Sequence, residues 1–322
     1  MSIFEHRLLF VVGKGGVGKT TVSAALGIAA KRLNKTVLLI EVGDADSMGQ
    51  IFDYGSFPEK PAQIQPNLWG VRINPKSVLK EYIKLHINIP FIANRIIKSK
   101  IFDYIIAATP GLKEVMTLGQ IWRWEQDKTF DNCPHFDLII VDAPATGHGV
   151  SLLILPQTLI NMLAVGPIVE QTRVVHSLLV DPVKTGLTLV TLPEELPVNE
   201  SLEFKQIAHE KLHMPVQTTF INSVYPDSFT TSDAKAITKK INEIEKTKHL
   251  EKFIPFFKLA KSTISRRQLQ QHHIDRMYKS KNSNETIIEL PFVFSHRLSV
   301  RDIYPLVDIL LKHNIKQAEN ND

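Results

Sequence analysis

The sequence predicts an α/β protein, with a mostly parallel, twisted sheet covered by helices on both faces. Short apolar segments alternate with helical ones along the 322 residues, which is typical of parallel sheets. The short segments are nearly continuous in apolar residues, as expected for strands buried on both faces. Seven strands are predicted, over residues 8–12, 36–42, 68–73, 137–142, 187–192, 218–222 and 286–290.

A glycine-rich loop joins the first predicted strand to an alanine-rich helical segment. It consists of Gly13, Lys14, Gly15, Gly16, Val17, Gly18, Lys19 and Thr20, and Thr21 follows it. Backbone N–H groups of such a loop, together with the N-terminus of the next helix, bind phosphate. Lys19 is placed to reach the β- and γ-phosphates, and the Thr20 hydroxyl can ligate Mg²⁺. The loop therefore predicts a nucleoside triphosphate site of the P-loop type.

The same loop also fits a weaker pattern. Gly13, Gly15 and Gly18 form the G-x-G-x-x-G string of dinucleotide sites, and Glu41 stands at the end of the next strand, like the acidic partner of a ribose. A dinucleotide, however, needs no lysine at position 19, and the segment around Asp142 belongs to phosphoryl transfer. The triphosphate interpretation is therefore favoured.

Two aspartates follow the second predicted strand. Attack on a γ-phosphate needs a residue that orients water, and a carboxylate at this place suits that role. Asp44 and Asp46 are the candidates, and Asp44 is our assignment for the catalytic residue. Each could equally cap a helix or stabilise a turn.

The alternation of strands and helices stops between about residues 74 and 130. Three helical segments, separated by Pro90, Pro110 and Gly111, predict a helical insert there. In the third segment, apolar residues recur near helical spacing, and they are Leu112, Val115, Met116, Leu118, Ile121 and Trp122. These side chains either cover the sheet or form a surface for a client, and both alternatives stay open.

Two later positions complete the predicted site. The strand 137–142 delivers Asp142 at its carboxyl end, where a carboxylate would hold Mg²⁺ opposite Thr20. The turn after Asp142 would lie beside the γ-phosphate and can exist in two states. Asn222, at the end of a later strand, offers a donor and an acceptor to an adenine edge, or else serves as a turn residue.

Composition narrows the class of protein. A single cysteine, Cys133, excludes a disulfide framework and an all-thiolate metal cage. No apolar run approaches the ~20 residues of a membrane span, and no signal-like segment begins the chain, so we expect a soluble cytoplasmic protein. One domain is predicted over residues 1–316, with a disordered tail over 317–322.

Positive charge is concentrated in one region. The net charge is +5, and residues 235–281 hold 13 Lys and Arg against four Asp and Glu. Arg266 and Arg267 lie in a predicted helix there. Such a helix either binds an acidic partner or exposes its basic side chains to solvent. Because no nucleic-acid-binding module accompanies it, no nucleic acid is expected as a partner.

The glycine-rich loop, with Lys14 beside the usual Lys19, resembles the deviant Walker A loop of the MinD, ParA, nitrogenase iron protein and arsenical-pump ATPases. Residues 142–148, followed by Leu155 and Pro156, resemble the switch II of the ArsA-like branch, which includes the ATPase that delivers tail-anchored membrane proteins. Residues 109–114, 193–195 and 199–200 also resemble family segments. Asn222 matches the family's adenine-reading asparagine, and Pro291 and Phe292 match the loop that covers the base.

The resemblance implies ATP and Mg²⁺ as ligands and a two-fold dimer, either a homodimer or a heterodimer with a paralogue. Lys14 would reach across to the partner's phosphates, as an arginine finger does. Dimer opening would be coupled to hydrolysis and to the handling of an unknown client, of the anion-transport or protein-targeting type. That client is an unknown protein or a membrane partner.

A MinD/ParA-like positioning ATPase, attaching reversibly to a surface, is the alternative. Its membrane version ends in a basic amphipathic helix. Residues 301–315 are amphipathic but carry few basic residues, so we expect this helix to pack on its own domain.

The chain also departs from the ArsA-like pattern. Gly43 stands where the family usually carries its switch I aspartate, and Asp44 comes one position later. The paired cysteines that bind zinc or metalloid in relatives are missing, and Cys133 alone cannot form a three-thiolate arsenite site. The chain has one phosphate loop, whereas the arsenite pump subunit has two halves. Residues 156–187 are too few for the long hydrophobic groove of the eukaryotic factor.

Overall fold

Eight strands form a single sheet in the order β3-β4-β2-β5-β1-β6-β7-β8, and only the β3–β4 pair is antiparallel. The computed structural model describes residues 2–43, 46–87, 90–99, 102, 104, 111–126, 133–162, 167–244 and 252–319. The strands are β1 (Leu8–Val12), β2 (Val37–Val42), β3 (Ala62–Gln65), β4 (Leu68–Ile73), β5 (Leu138–Asp142), β6 (Thr185–Thr191), β7 (Thr218–Val224) and β8 (Thr286–Pro291).

Helices connect the strands and cover both faces of the sheet. They are α1 (Lys19–Arg32), α2 (Ser47–Ile51), α3 (Pro75–His86), α4 (Pro90–Ile97), α5 (Leu112–Gln126), α6 (Thr146–Met162), α7 (Pro167–Val180), α8 (Glu195–Glu210), α9 (Thr231–Ile244), α10 (Ile254–Lys279) and α11 (Tyr304–Glu319). The predicted fold class, an α/β protein with a mostly parallel sheet, is therefore confirmed.

The structure confirms all seven predicted strands to within two residues at each end. The eighth, β3, is not predicted from the sequence. It is a short edge strand in which apolar and polar residues alternate, all of them half-buried or exposed, and it pairs with β4 through a register shift near Gln63. An edge strand exposed in this way has no need of a continuous apolar run, so the main sequence signal is missing.

Residues that alternate along each central strand belong to two different cores. Leu9 and Val11 of β1 pack in the core that contains α1 and α11. Leu8 and Phe10 pack in the opposite core, which contains α5, α6, α7 and α8. Both faces of the strand are therefore buried, which explains the nearly unbroken apolar segments of the sequence.

The helical insert consists of α3, α4 and α5 and serves in part to cover the sheet. Leu118, Ile121 and Trp124 of α5 belong to the main core beneath it. Leu112 and Met116, at the other end of the same helix, instead pack against a small separate cluster that contains Leu79 and Phe102. One end of α5 thus completes the sheet's core, and the other end forms a second apolar site.

The last helix uses its apolar face within the domain, as the sequence predicts. Leu306, Val307 and Leu310 of α11 are buried against the core that includes α1. The helix ends at Glu319, so residues 317–319, predicted as part of a disordered tail, are helical. Among the described residues, no helix has both the length and the apolar composition needed to cross a bilayer.

The strand order places three carboxyl ends side by side. β5 lies between β1 and β2, and Glu41 of β2 and Asp142 of β5 are directly paired in the parallel register. β6 lies on the other side of β1. The loop after β1 therefore sits at the edge where parallel α/β sheets bind their ligands.

Candidate active site

The glycine-rich loop runs from the end of β1 to the start of α1, and two of its glycines are required by close contacts. A Cβ atom on Gly13 would lie 2.2 Å from the carbonyl oxygen of Val190 in β6. A Cβ atom on Gly18, whose φ is +90°, would lie 2.3 Å from Nδ2 of Asn222 in β7. Only glycine fits at either position, so the loop is packed closely against β6 and β7, which lie on the same side of β1.

Lys19 begins α1 and turns back over the loop. Its Nζ donates a hydrogen bond to the carbonyl oxygen of Lys14 at 3.0 Å. Burial lowers the pKa of Lys19, and the nearby charge of Asp142 opposes that shift. An anion held by the loop would favour the charged ammonium further, so the geometry suits a phosphate beside Lys19.

Asp142, at the carboxyl end of β5, lies next to Thr20. The Thr20 hydroxyl donates to Asp142 Oδ2 at 2.6 Å, while Oδ1 is buried without a hydrogen-bond partner among the described residues. Burial raises the pKa of Asp142 to about 6, against the hydrogen bond from Thr20 and the charge of Lys19. A hydroxyl and a carboxylate with an unsatisfied oxygen fit Mg²⁺, which prefers hard oxygen ligands.

Glu41 is the strand neighbour of Asp142 and is even more deeply buried, with 2% of its surface exposed. Its Oε1 accepts hydrogen bonds from the N–H groups of Ser47 (2.9 Å) and Met48 (3.1 Å) at the start of α2. Burial raises the pKa of Glu41 to about 7, and the charge of Asp142 adds to the shift. The structure thus places Glu41 against the N-terminus of α2.

Of the two candidates for orienting water, only Asp46 belongs to the described residues; Asp44 lies outside them. Asp46 Oδ1 accepts from Arg72 Nη1 of β4 at 2.9 Å and also from the Ser56 hydroxyl. This carboxylate is therefore already engaged in an ion pair. Asp44 remains the sequence-based assignment.

Lys14 forms an ion pair with Glu200 of α8 within the same chain. The Lys14 side chain is 32% exposed and that of Glu200 is 38% exposed, so the pair lies at the surface of the site.

Two contacts fix α8 and therefore fix Glu200. Asn199 Oδ1 accepts from Arg276 Nη2 of α10 at 2.6 Å, and Lys205 Nζ forms a buried ion pair with Glu285 at 2.6 Å. A buried pair of this kind holds its helix in one position, because breaking it leaves an uncompensated charge.

A cavity of about 380 Å³ lies beside the loop and continues toward β7 and β8. Its walls include Gly16, Val17, Gly18, Thr21, Asn222 and Phe292. Asn222 lies inside β7 rather than at its end, and its Nδ2 donates to the Val17 carbonyl at 2.9 Å. Pro291 ends β8 and does not line the cavity. The size suits a small-molecule ligand.

The sequence does not predict two further residues of this cavity, Tyr225 and Gln270. The Tyr225 ring stacks on Phe292, with centroids 5.1 Å apart and planes at 9°. Gln270 of α10 accepts from the Tyr225 N–H at 2.8 Å and donates to the Ser223 carbonyl at 3.0 Å. A glutamine inside a mostly exposed, basic helix carries no signal in the sequence, since its role depends on a distant strand.

The sequence matches one family model and several known proteins. The family model of anion-transporting ATPases matches residues 6–166, half of the chain. ATPase BagA of Mycobacterium tuberculosis is 29% identical over 243 residues, which are 73% of this chain and 71% of that protein. ATPase GET3 of Komagataella phaffii is 34% identical over 171 residues, 50% of this chain and 49% of the relative.

A third relative, the arsenical pump-driving ATPase of Acidiphilium multivorum, is 28% identical over 248 residues. The aligned residues make up 71% of this chain but 41% of that longer protein. The match over residues 6–166 includes the whole glycine-rich loop and Asp142. The chain therefore belongs to the anion-transporting ATPase (ArsA) family and is an ATPase.

Proposed function

We propose that this protein is a dimeric switch that couples the binding and hydrolysis of Mg·ATP to the handling of a client. The observation that carries the proposal is the contact between Thr20 and Asp142 at 2.6 Å, directly below the phosphate loop. It brings a hydroxyl and a buried carboxylate with a free oxygen to one point, as a metal-bound triphosphate requires.

The residues around the loop would divide the binding of Mg·ATP among them. Asp142 and Thr20 would hold Mg²⁺, which supplies positive charge to the β- and γ-phosphate oxygens. The loop N–H groups and Lys19 would hold the phosphates, since Lys19 Nζ already lies over the loop. Asn222 and Phe292 line the cavity in which the adenine would sit.

Lys14 is the residue through which a second subunit would contribute to ATP hydrolysis. The developing charge of phosphoryl transfer is stabilised by a cation supplied from a partner. In the single chain this cation is paired with Glu200, so Lys14 must leave Glu200 before it reaches a neighbour's phosphates. Glu200 would therefore set how readily the dimer forms, whether the partner is a second copy or a paralogue.

The client would bind at the helical insert. An apolar cavity of about 460 Å³ lies between α3, α5 and α7. Its walls include Leu79, Ile83, Leu112, Met116 and Val175. A concave apolar site of this size is suited to an apolar segment of a partner, and relatives named for arsenical pumping and as ATPase GET3 make a transported or targeted client the natural expectation.

The alternative, a positioning ATPase that attaches to a membrane through its last helix, has less support. The apolar residues of α11, among them Leu306 and Leu310, are buried in the domain. A membrane anchor would need that face free.

Replacing Lys19 should remove ATP binding. In Lys19→Ala, we expect the affinity for a fluorescent ATP analogue to fall by at least about tenfold, because a hydrogen bond to a charged group contributes roughly 1.5–3 kcal/mol. Lys31→Ala, at the other end of the same helix, is the matched control and should bind normally. Unchanged affinity in Lys19→Ala would contradict the phosphate assignment.

Lys14 and Glu200 should have opposite effects on association. Lys14→Ala should still bind ATP but lose ATP-induced dimerisation, as measured by sedimentation velocity with a non-hydrolysable analogue. Glu200→Gln releases Lys14, so its dimer should be tighter by up to about fivefold for each subunit that carries the change, the limit for a surface ion pair of about 1 kcal/mol. Glu203→Gln, on the same helix, is the control. Normal dimerisation of Lys14→Ala would refute the cross-subunit role.

Asp44 and Asp46 should separate in a turnover assay. Asp44→Asn should slow ATP hydrolysis by roughly 10²–10⁴-fold, the usual contribution of a group that handles the proton of the attacking water, without loosening the nucleotide. Asp46→Asn should keep near-normal turnover, because Asp46 is engaged by Arg72. Slow turnover in Asp46→Asn alone would transfer the role to Asp46.

A charge in the insert cavity should weaken apolar binding. Met116→Glu is expected to reduce the affinity for an apolar fluorescent probe by about fivefold or more, since an ionised carboxylate in an apolar site is strongly unfavourable. Lys113→Glu, exposed on the same helix, is the control. Equal binding by both variants would exclude this cavity as the client site.

A further inference from the structure

Glu41 has no part in the function proposed above, although it lies next to the metal-binding carboxylate. Glu41 and Asp142 are direct partners in the parallel register of β2 and β5. Only 2% of Glu41 and 7% of Asp142 is exposed. Each carboxylate also has one buried oxygen, Glu41 Oε2 and Asp142 Oδ1, with no hydrogen-bond partner among the described residues.

The charges around Glu41 do not compensate it. Two negative groups, Asp142 and Asp46, act on Glu41. Arg72, the register partner of Glu41 in β4, is engaged by Asp46, and within the described part of the chain no cationic side chain forms an ion pair with Glu41. Its other oxygen receives the N–H groups of Ser47 and Met48. Lys19 acts on Asp142, but a second buried carboxylate beside it remains unfavourable, and a cation shared by the two would stabilise both.

We propose that Glu41 is a positioning residue of the metal site, whose Oε2 accepts a hydrogen bond from a water molecule bound to the Mg²⁺ that Asp142 and Thr20 would hold. This inference rests on the proposed function, because it needs that metal. Neighbouring strands lie about 4.8 Å apart, and Mg²⁺ usually keeps several of its waters. A hydrated ion therefore lies within reach of both carboxylates, with one bound directly and the other through water.

The same side chain connects the metal to the segment that follows β2. Oε1 of Glu41 holds the first N–H groups of α2, and Oε2 faces no other described partner. The segment between Glu41 and α2 contains Asp44, the assigned water-orienting residue. A metal whose bound water contacts Oε2 of Glu41 would therefore also help to hold the side chain that binds the start of α2, as outer-shell partners do in other metal sites.

A role as a helix cap alone would make a different prediction. A cap needs an acceptor but no charge, and glutamine keeps the acceptor oxygen. Glu41→Gln therefore retains the bonds to Ser47 and Met48 while it removes the charge that a metal-bound water would feel.

The test is metal binding by the complex with ADP, measured by isothermal titration with Mg²⁺ and by the spectrum of bound Mn²⁺. We expect Glu41→Gln to weaken metal affinity by about tenfold or more, as is usual for outer-shell partners. Asp46→Asn, which removes a neighbouring negative charge that is engaged by Arg72, should change it little. In EDTA, Glu41→Gln should melt at the same or a higher temperature than the wild type, and its rise in Tm with Mg²⁺ should be smaller.

Normal metal affinity in Glu41→Gln, or equal losses in Glu41→Gln and Asp46→Asn, would overturn the proposal. If Glu41→Gln fails to fold, Glu41→Asn, whose uncharged carboxamide oxygen is only one methylene shorter, takes its place in the metal-affinity measurement. The proposed function fails separately: in that case the wild type binds no ADP, or Asp142→Asn leaves metal affinity unchanged. Metal binding that depends on Asp142 and not on Glu41 would refute only this inference.

Discussion

The active site depends on negative charge that the fold keeps away from water. Asp142 lies at the end of a strand buried on both faces, and Glu41 lies beside it in the next strand. Each has an oxygen without a partner among the described residues. A buried carboxylate is stable in its charged form only beside a positive charge. A bound cation would therefore stabilise this edge of the sheet. The glycine-rich loop next to it, over which Lys19 lies, instead favours a bound anion.

The order of the strands brings these requirements together. Because β1 lies between β5 and β6, the loop after β1 has Asp142 on one side and the carbonyl of Val190 on the other. Gly13 is pressed against that carbonyl, and Gly18 is pressed against Asn222. The loop is thus packed closely against β6 and β7, and its glycines are the condition for that packing.

Sequence patterns predicted the parts of this fold that depend on local chemistry. The seven strands were predictable because burial on both faces requires a continuous apolar run. The position of the glycine-rich loop between β1 and α1, and that of Asp142 at the end of β5, were predictable because both follow from short local patterns. β3 had no such signal, since an edge strand tolerates polar residues. Glu200, Gln270 and the position of Glu41 depend on contacts between distant segments, as in the pairing of Lys14 with Glu200 across 186 positions.

The hydrogen bond from Asn222 to the Val17 carbonyl joins β7 to the glycine-rich loop in the wall of the cavity that the proposed function assigns to the nucleotide. A carboxamide nitrogen carries two hydrogens, so Asn222 can serve the loop with one and a bound base with the other. The nucleoside half and the phosphate half of a ligand then meet a shared residue. Their contributions to affinity are consequently not independent. Removing the base or the phosphates from the ligand should therefore change the binding free energy that the remaining half contributes.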